Sequence, residues 1–123
     1  MDPVVHFELP ADDRERANQF YTSVFGWEID PIPVNGDTYL TATTSPIDDE
    51  HMHEAAGAII ERAGEIVAPI ITIEVDSIDE RIPRIEDAGG DSVAPKDKVP
   101  GLGFYAYVRD PEGNVIGLWE SLE

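Results

Sequence analysis

Short segments of this chain alternate apolar and polar residues, and two longer segments repeat apolar residues at helical spacing. Residues 4–9 (VVHFEL) alternate with a period of two, which predicts a strand. Phe7 and Leu9 would face the core from this strand. His6 and Glu8 would lie on its other face. The segment therefore indicates a half-buried strand with two ionisable side chains on its polar face.

The segment up to residue 62 contains the pattern of one helix and three further strands. Asp12 or Asp13 can cap the start of the helix, and Gly26 can end it. Asn35-Gly36 predicts a tight turn between two strands. The predicted strands cover residues 27–32, 38–43 and 57–62, with a polar loop at 45–56.

The same order of elements starts again at residue 69. Residues 69–75 (PIITIEV) predict a strand with Ile71, Ile73 and Val75 facing the helix that follows. Asp76 or Ser77 can cap this second helix, and Gly89-Gly90 can end it. A short strand at 91–94 and a loop at 95–103 follow. The last two predicted strands, beginning at Phe104 and Val115, form a hairpin around an Asp-Pro-Glu-Gly-Asn turn.

The two halves form an internal repeat with an offset of 64 residues. The offset aligns His6 with Ile70, Asp12 with Asp76 and Gly26 with Gly90. We therefore predict an α+β fold of two βαβββ modules, module one at about 3–63 and module two at about 68–121. Their curved mixed sheets would enclose a cavity, and residues 1–123 would form a single domain.

The amino-acid composition indicates the salt conditions and the partners that suit the protein more than it indicates a reaction. The chain has 26 acidic and 8 basic residues, a formal net charge of -18, which disfavours nucleic acid and anionic membranes as partners. Even acidity with only two lysines favours a halophilic protein, and an ordinary acidic mesophilic protein is the alternative. Cysteine is absent, and no apolar leader or membrane span is recognisable, so we expect a cytoplasmic location.

Three segments together resemble the vicinal oxygen chelate superfamily, which includes glyoxalase I, bleomycin resistance proteins and extradiol dioxygenases. They are HFELPADDRERANQFYTSVFGWEI, ITIEVDSIDERIPRIEDAGG and VPGLGFYAYVRDPEGNVIGLWE. The resemblance covers almost the whole chain and is greatest to small glyoxalase-like members. It implies the predicted two-module fold and a homodimer.

The resemblance also implies four positions for the ligands of one divalent metal. They match His6, Ile70, Gly117 and a residue near the end of GAIIER, either Ile60 or Glu61. Isoleucine and glycine offer no ligand atom, which leaves His6 and Glu61 as the metal candidates. We therefore expect no cofactor, with a divalent metal as the alternative.

Glu120 is the acid nearest to the ligand position at Gly117. It shares its strand face with Ile116 and Leu118, opposite to Gly117, so we predict a solvated acid at the strand end. Only a bulge that shifts the register by one residue would turn it towards a site.

Several side chains are candidates for chemistry or ligand binding. Glu8 could tune His6 as a general base, and Tyr107 matches the position of an active-site tyrosine in related dioxygenases. The hairpin would pair Arg109 with Val115, Tyr107 with Gly117 and Tyr105 with Trp119, all facing the cavity. The alternative is that these aromatic side chains fill a core. The ligand-binding candidates are Glu8, Lys96, Tyr105, Arg109, Gly117 and Trp119.

Two further groups could bind ions. Lys96 and Lys98 lie in one predicted loop and could attract an anionic ligand, or they could balance Asp97. His51 and His53 form an H-x-H pair that could bind zinc or copper, or could be ordinary exposed side chains.

Three functions follow from these residues. The first is a metal-free protein that binds a small molecule, as bleomycin resistance proteins do. The second is a metal-dependent lyase or isomerase of the glyoxalase I type. The third is a metal-free enzyme in which His6 and Tyr107 transfer protons.

Overall fold

The chain folds as the βαβββ order twice, as the sequence predicts. The structure, a computed structural model, describes residues 1–45 and 56–122. No helix within these ranges is long and apolar enough to span a membrane. The elements are β1 Val4–Ala11, α1 Arg14–Phe25, β2 Glu28–Val34, β3 Asp37–Thr43, β4 Gly57–Glu61, β5 Ile70–Glu74, α2 Ile78–Asp87, β6 Asp91–Val99, β7 Gly103–Arg109 and β8 Val115–Ser121.

The chain divides into two compact units with the same strand order. Residues 6–45 and 56–69 form module one, ordered β2-β3-β4-β1, and residues 1–5 with 70–122 form module two, ordered β5-β8-β7-β6. In each module the first strand pairs with the last strand in parallel, and the other neighbours are antiparallel. The backbone N–H of Glu74 donates to the carbonyl oxygen of Pro3 at 2.9 Å, which joins the first residues to module two.

An aromatic layer lies between α1 and the sheet of module one. Asp13 caps the helix by accepting from the Arg16 backbone N–H at 3.0 Å, and Gly26 ends it with a φ of 73°. The rings of Tyr21 and Trp27 stack with centroids 4.7 Å apart, and Trp27 also meets the ring of Phe7. Ring contacts therefore help to hold the helix against the sheet.

The core of module two lies between α2 and one face of its sheet. Ser77 caps the helix by accepting from the Glu80 backbone N–H at 3.2 Å. Ile78, the first helical residue, is 0% exposed. It packs in the cluster formed by Val75, Ala106, Val108 and Leu118.

Two predictions about module two were wrong in detail. Residues 95–99 continue β6 where we predicted a loop, so Lys96 and Lys98 lie on a strand. The pairing of β6 with β7 has two register shifts, and the one between Ala94 and Asp97 spans Pro95, which lacks an N–H group to donate. Ile71, predicted to be covered by the helix, is 46% exposed because it lies on β5 beyond the cluster around α2.

The β7–β8 turn is built around the carboxylate of Asp110. This carboxylate accepts from the backbone N–H groups of Glu112 and Asn114, both at 2.9 Å, and from the Asn114 side chain at 3.0 Å. The hydrogen bond from the Asn114 side chain, followed by the backbone bonds, lowers the pKa of Asp110. The charged form is therefore favoured in the folded protein.

We expect Asp110→Asn to destabilise the protein at neutral pH. A lowered folded-state pKa contributes stability above the unfolded pKa of about 3.9, and this contribution is lost as the pH falls through the folded pKa. The difference in unfolding free energy between the wild type and the variant should thus shrink between about pH 5 and pH 2. Urea titrations across this range measure it, with Glu112→Gln in the same turn as the control. Equal stabilities of wild type and Asp110→Asn at pH 7 would contradict the assignment.

Candidate functional site

Three polar side chains meet on the face of the module-one sheet that lies opposite α1. β1 contributes His6 and Glu8 by its alternation, and β3 contributes Tyr39. β4 lies between these two strands. Its residue Ala58 pairs with Glu8 of β1 on one side and with Thr41 of β3 on the other. Because Ala58 has a short side chain, the phenol of β3 can reach across β4 to the carboxylate of β1.

The three side chains form a continuous hydrogen-bonded chain. Tyr39 Oη donates to Glu8 Oε2 at 2.9 Å. Tyr39 Oη also lies 2.9 Å from His6 Nε2. The His6 and Tyr39 rings are nearly parallel, with an interplanar angle of 16°. Glu8 is only 5% exposed. A carboxylate buried this far from water needs a donor, and the Tyr39 hydroxyl is one.

An aromatic face lies on the module-two sheet, opposite α2. The hairpin pairs Arg109 with Val115, Tyr107 with Gly117 and Tyr105 with Trp119, which confirms the predicted register. The rings of Tyr105 and Tyr107 meet edge to face, with centroids 6.1 Å apart. The Trp119 Nε1–H donates to Ser121 Oγ, and this hydroxyl donates to Glu74. All three aromatic residues are half-buried.

Gly117 brings β8 close to the side chain of Thr72. The two residues pair across β5 and β8, and a Cβ atom at Gly117 would lie 2.7 Å from Thr72 Oγ1. The space beside the strand that the missing side chain of Gly117 leaves is therefore partly filled by the threonine hydroxyl. Beside Tyr107, Gly117 therefore contributes backbone atoms and no side chain.

Lys96 and Arg109 both have acidic partners. The Lys96 ammonium lies 3.0 Å from Asp79 Oδ2, and the hydrogen bond to Asp79 raises the pKa of Lys96. This ammonium also lies 4.4 Å from the centre of the Phe104 ring, on the α2 side of the sheet. The Arg109 guanidinium pairs with Asp91 at 3.0 Å. The structure thus does not bring Lys96 together with the aromatic face.

Glu120 holds the start of α2. The predicted strand face of Glu120 is confirmed, because Glu120 lies on the same side of β8 as Leu118, which is in the core of module two. The prediction of a solvated acid was wrong. Its side chain is 19% exposed, and Oε1 accepts from the Ile78 backbone N–H at 2.8 Å and lies 3.8 Å from Lys96 Nζ. It therefore satisfies a free N–H at a helix N-terminus.

The residues at the expected metal-ligand positions do not fit a metal site. His6 shares its strand face with Glu8, whereas Glu61 pairs with Ala11 and points to the other face. The two residues are also separated by five positions along paired strands, roughly 16 Å. Ile70 is apolar and 1% exposed, and Gly117 has no side chain.

No wider metal-binding group is found in residues 1–45 and 56–122. No three His, Cys, Asp or Glu side chains within these ranges are grouped closely enough to hold an ion. His51 and His53, the H-x-H pair, lie outside the described residues.

A surface cavity of about 380 Å³ lies in module one, away from the polar chain. Neither His6, Glu8 nor Tyr39 lines it. Its walls come from the β1–α1 connection, the first turns of α1 and Arg62, and include Asp12, Asp13, Arg16, Phe20 and Tyr21. The Asp12–Arg62 ion pair at 2.8 Å closes one side.

Tyr39 is the site residue that sequence reasoning missed. The alternation of β3 places it on the same face as Thr41, and β4 connects that face to Glu8. The strand pattern of the sequence was enough to show which face of β3 carries Tyr39. The parallel pairing of β1 with β4, which brings the three side chains together, could not be predicted from that pattern.

Comparisons with known proteins agree with this fold. The model of the Glyoxalase/Bleomycin resistance protein/Dioxygenase superfamily matches residues 4–118, and the chain belongs to this superfamily. CFP32 of Mycobacterium tuberculosis, a candidate glyoxylase, is 32% identical over 121 residues. The anthracycline biosynthesis protein DnrV of Streptomyces peucetius is 27% identical over 125 residues. The matches cover 93% and 94% of this chain but only 44% and 46% of those proteins, so the chain spans about half their length.

Solved structures show the same fold at low sequence identity. The hypothetical protein BH1468 from Bacillus halodurans has a TM-score of 0.67 at 14% identity, covering 99% of this chain and 96% of its own. A methylmalonyl-CoA epimerase from Streptomyces coelicolor has a TM-score of 0.66 at 14% identity, covering 98% of this chain and 97% of its own. At this identity the likeness concerns the fold alone.

Proposed function

We propose that this protein binds a small, planar organic molecule on the aromatic face of module two and does so without the complete metal site of its superfamily. One observation carries the proposal. Tyr105, Tyr107 and Trp119 form a half-buried aromatic surface on the side of the sheet that α2 does not cover. Aromatic side chains with partly exposed rings offer apolar area and ring stacking to a planar ligand.

The hydrogen bonds around this surface keep the rings in place. The Tyr105 hydroxyl donates to Asp97 at 3.4 Å, and Trp119 is held through Ser121 to Glu74. Side chains that are fixed before a ligand arrives lose less conformational entropy on binding. The surface is thus preorganised for stacking.

The chemistry of one relative supports a planar ligand. DnrV is named for anthracycline biosynthesis, and anthracyclines contain a flat system of fused rings. We therefore propose a polycyclic aromatic molecule as the ligand class. The substrate of the relative is not assigned to this chain by the 27% identity, and the aromatic face provides the independent support.

A glyoxalase-type lyase is the second candidate, because CFP32 is named as a candidate glyoxylase. It requires a metal held by residues that this chain does not supply at Ile70 and Gly117. The placement of His6 and Glu61 on opposite faces of the β1–β4 pair also disfavours it. The expected homodimer, cytoplasmic location and halophilic character stay predictions.

The proposal predicts saturable binding of a neutral anthracyclinone aglycone. A neutral probe is needed because a net charge of -18 attracts any amine-bearing anthracycline without specificity. We expect a dissociation constant on the order of 10 µM by fluorescence anisotropy in molar KCl. Tyr107→Ala should weaken binding about tenfold or more, because it removes the ring beside Gly117. Phe25→Ala, which removes a ring that is 60% exposed on α1, should leave the affinity unchanged.

Metal analysis separates the two candidates. The protein is offered nickel, zinc, manganese and iron, desalted, and measured by plasma mass spectrometry, and the titration is repeated with chelator. Background metal and an unchanged affinity are expected. About one metal per chain, or loss of binding with chelator, would favour the glyoxalase-type enzyme. Equal affinities of wild type and Tyr107→Ala would contradict the proposed surface.

A further inference from the structure

We infer that the hydrogen-bonded chain His6–Tyr39–Glu8 on module one is a proton-transfer site, in which Tyr39 is the positioning residue that fixes the tautomer of His6. The inference goes beyond the proposed ligand binding and does not depend on it, because it concerns only side chains of module one. It rests on two hydrogen bonds of 2.9 Å that share one phenol oxygen.

The direction of these bonds follows from the number of protons available. A phenol has one proton, and Tyr39 gives it to Glu8 Oε2. The Tyr39 oxygen can then only accept from His6, so Nε2 of His6 carries a proton. In the neutral ring Nδ1 is consequently the basic nitrogen. The buried carboxylate thus sets the tautomer of a histidine through the tyrosine between them.

The burial of the three groups suits this role. Glu8 and Ala58 are 5% and 0% exposed, so the carboxylate is shielded from water. His6 and Tyr39 are half-buried, so a molecule can approach them. Hydrogen bonds are stronger where water is excluded, and the 2.9 Å bond between His6 Nε2 and Tyr39 Oη orients the imidazole. The base is therefore oriented before a substrate arrives.

The chemistry that this arrangement supports is removal of a proton by His6. The proton moves from an acidic group of the substrate to Nδ1, and the bonding electron pair stays with the substrate. The imidazolium formed in this step keeps its Nε2–H bond to Tyr39, and Glu8 stabilises the positive charge through the phenol. A neutral substrate with an acidic proton is the class that fits, because an anion would be repelled by the carboxylate.

The tautomer can be measured directly by long-range ¹H–¹⁵N NMR of the imidazole rings. His6→Gln identifies the His6 signals among the three histidines of the chain. We expect the Nε2–H form to dominate in the wild type and a mixture of both forms in Tyr39→Phe, which removes only the hydroxyl. Tyr21→Phe in the same module is the control and should change nothing. A dominant Nδ1–H form, or a tautomer unaffected by Tyr39→Phe, would overturn the inference.

The base can be tested with 5-nitrobenzisoxazole, a neutral probe that loses its C3 proton as its N–O bond breaks to release a coloured cyanophenolate. In buffer with chelator, we expect turnover above background in the wild type, about tenfold less in Tyr39→Phe and none in His6→Gln. Glu8→Gln keeps an acceptor for the Tyr39 hydroxyl, so it should retain the tautomer but lower the rate. Wild-type turnover at background, or equal to that of His6→Gln, would overturn the proton-transfer role.

Discussion

Replacing Ile78 with alanine is expected to lower the unfolding free energy by about 2–5 kcal/mol, the range for removing a buried isoleucine side chain. Ile78 is 0% exposed and packs in the only core cluster resolved among the described residues. It lies at the first position of α2, and its neighbours in the cluster belong to different strands. Because the sheet holds these strands in place, the neighbours cannot all move to fill the cavity that the substitution leaves. Since domains of this size are stable by about 5–15 kcal/mol, the loss would be a large fraction.

Urea is the suitable denaturant for this measurement because it is uncharged and leaves ionic strength unchanged. Ile71→Ala provides the matched control, with the same change of side chain at a position that is 46% exposed. We expect it to cost less than about 1 kcal/mol. A loss below about 1 kcal/mol for Ile78→Ala would mean that the cluster around α2 is not the core of module two.

The melting temperature is expected to rise by more than about 10 °C between 0.1 and 3 M KCl, a shift that requires about 3 kcal/mol of relieved repulsion in a chain of this length. The formal net charge of -18 makes like charges repel across the surface. The screening length falls from about 10 Å at 0.1 M to about 3 Å at 1 M salt. Thermal unfolding followed by near-ultraviolet circular dichroism measures the effect.

A charge-reduced variant tests whether repulsion is the cause. In this variant, glutamine replaces glutamate and asparagine replaces aspartate at six exposed positions. The acids at these positions have no side-chain hydrogen bond or ion pair in the described ranges: Glu15, Glu28, Glu61, Glu86, Asp87 and Glu112. Repulsion scales with the square of the net charge, so the rise in melting temperature should fall to roughly half. An equal rise in both proteins would instead point to general effects of salt on apolar burial.

The local pattern of the sequence was sufficient for the order of the elements and for the hairpin. Alternation with period two identified β1, β5, β7 and β8, and the Asp-Pro-Glu-Gly-Asn turn fixed the pairing of Tyr107 with Gly117. The repeat of strand, cap, helix and glycine predicted two modules with the same order. These features depend on residues close together in the chain, where backbone preferences and turn geometry decide the structure.

Long-range pairing decided the candidate site. Tyr39 and Glu8 are 31 residues apart and meet only because β4 pairs with both β1 and β3. Likewise, Lys96 was placed in a loop from sequence, and only the bulged β6–β7 ladder turns its ammonium towards Asp79. Side-chain parity can be counted from sequence within one strand, but the distance between strands depends on their order in the sheet.

The sequence by itself thus determined the family, the order of the elements in both modules and the absence of ligand side chains at Ile70 and Gly117. Tertiary structure alone decided that a phenol joins His6 to a buried carboxylate, that Glu120 accepts from the first N–H of α2, and that Glu61 faces away from His6. The physical reason is common to all three. A polar side chain acquires its role from the donor or acceptor that folding brings within about 3 Å, and that partner comes from a distant segment of the chain.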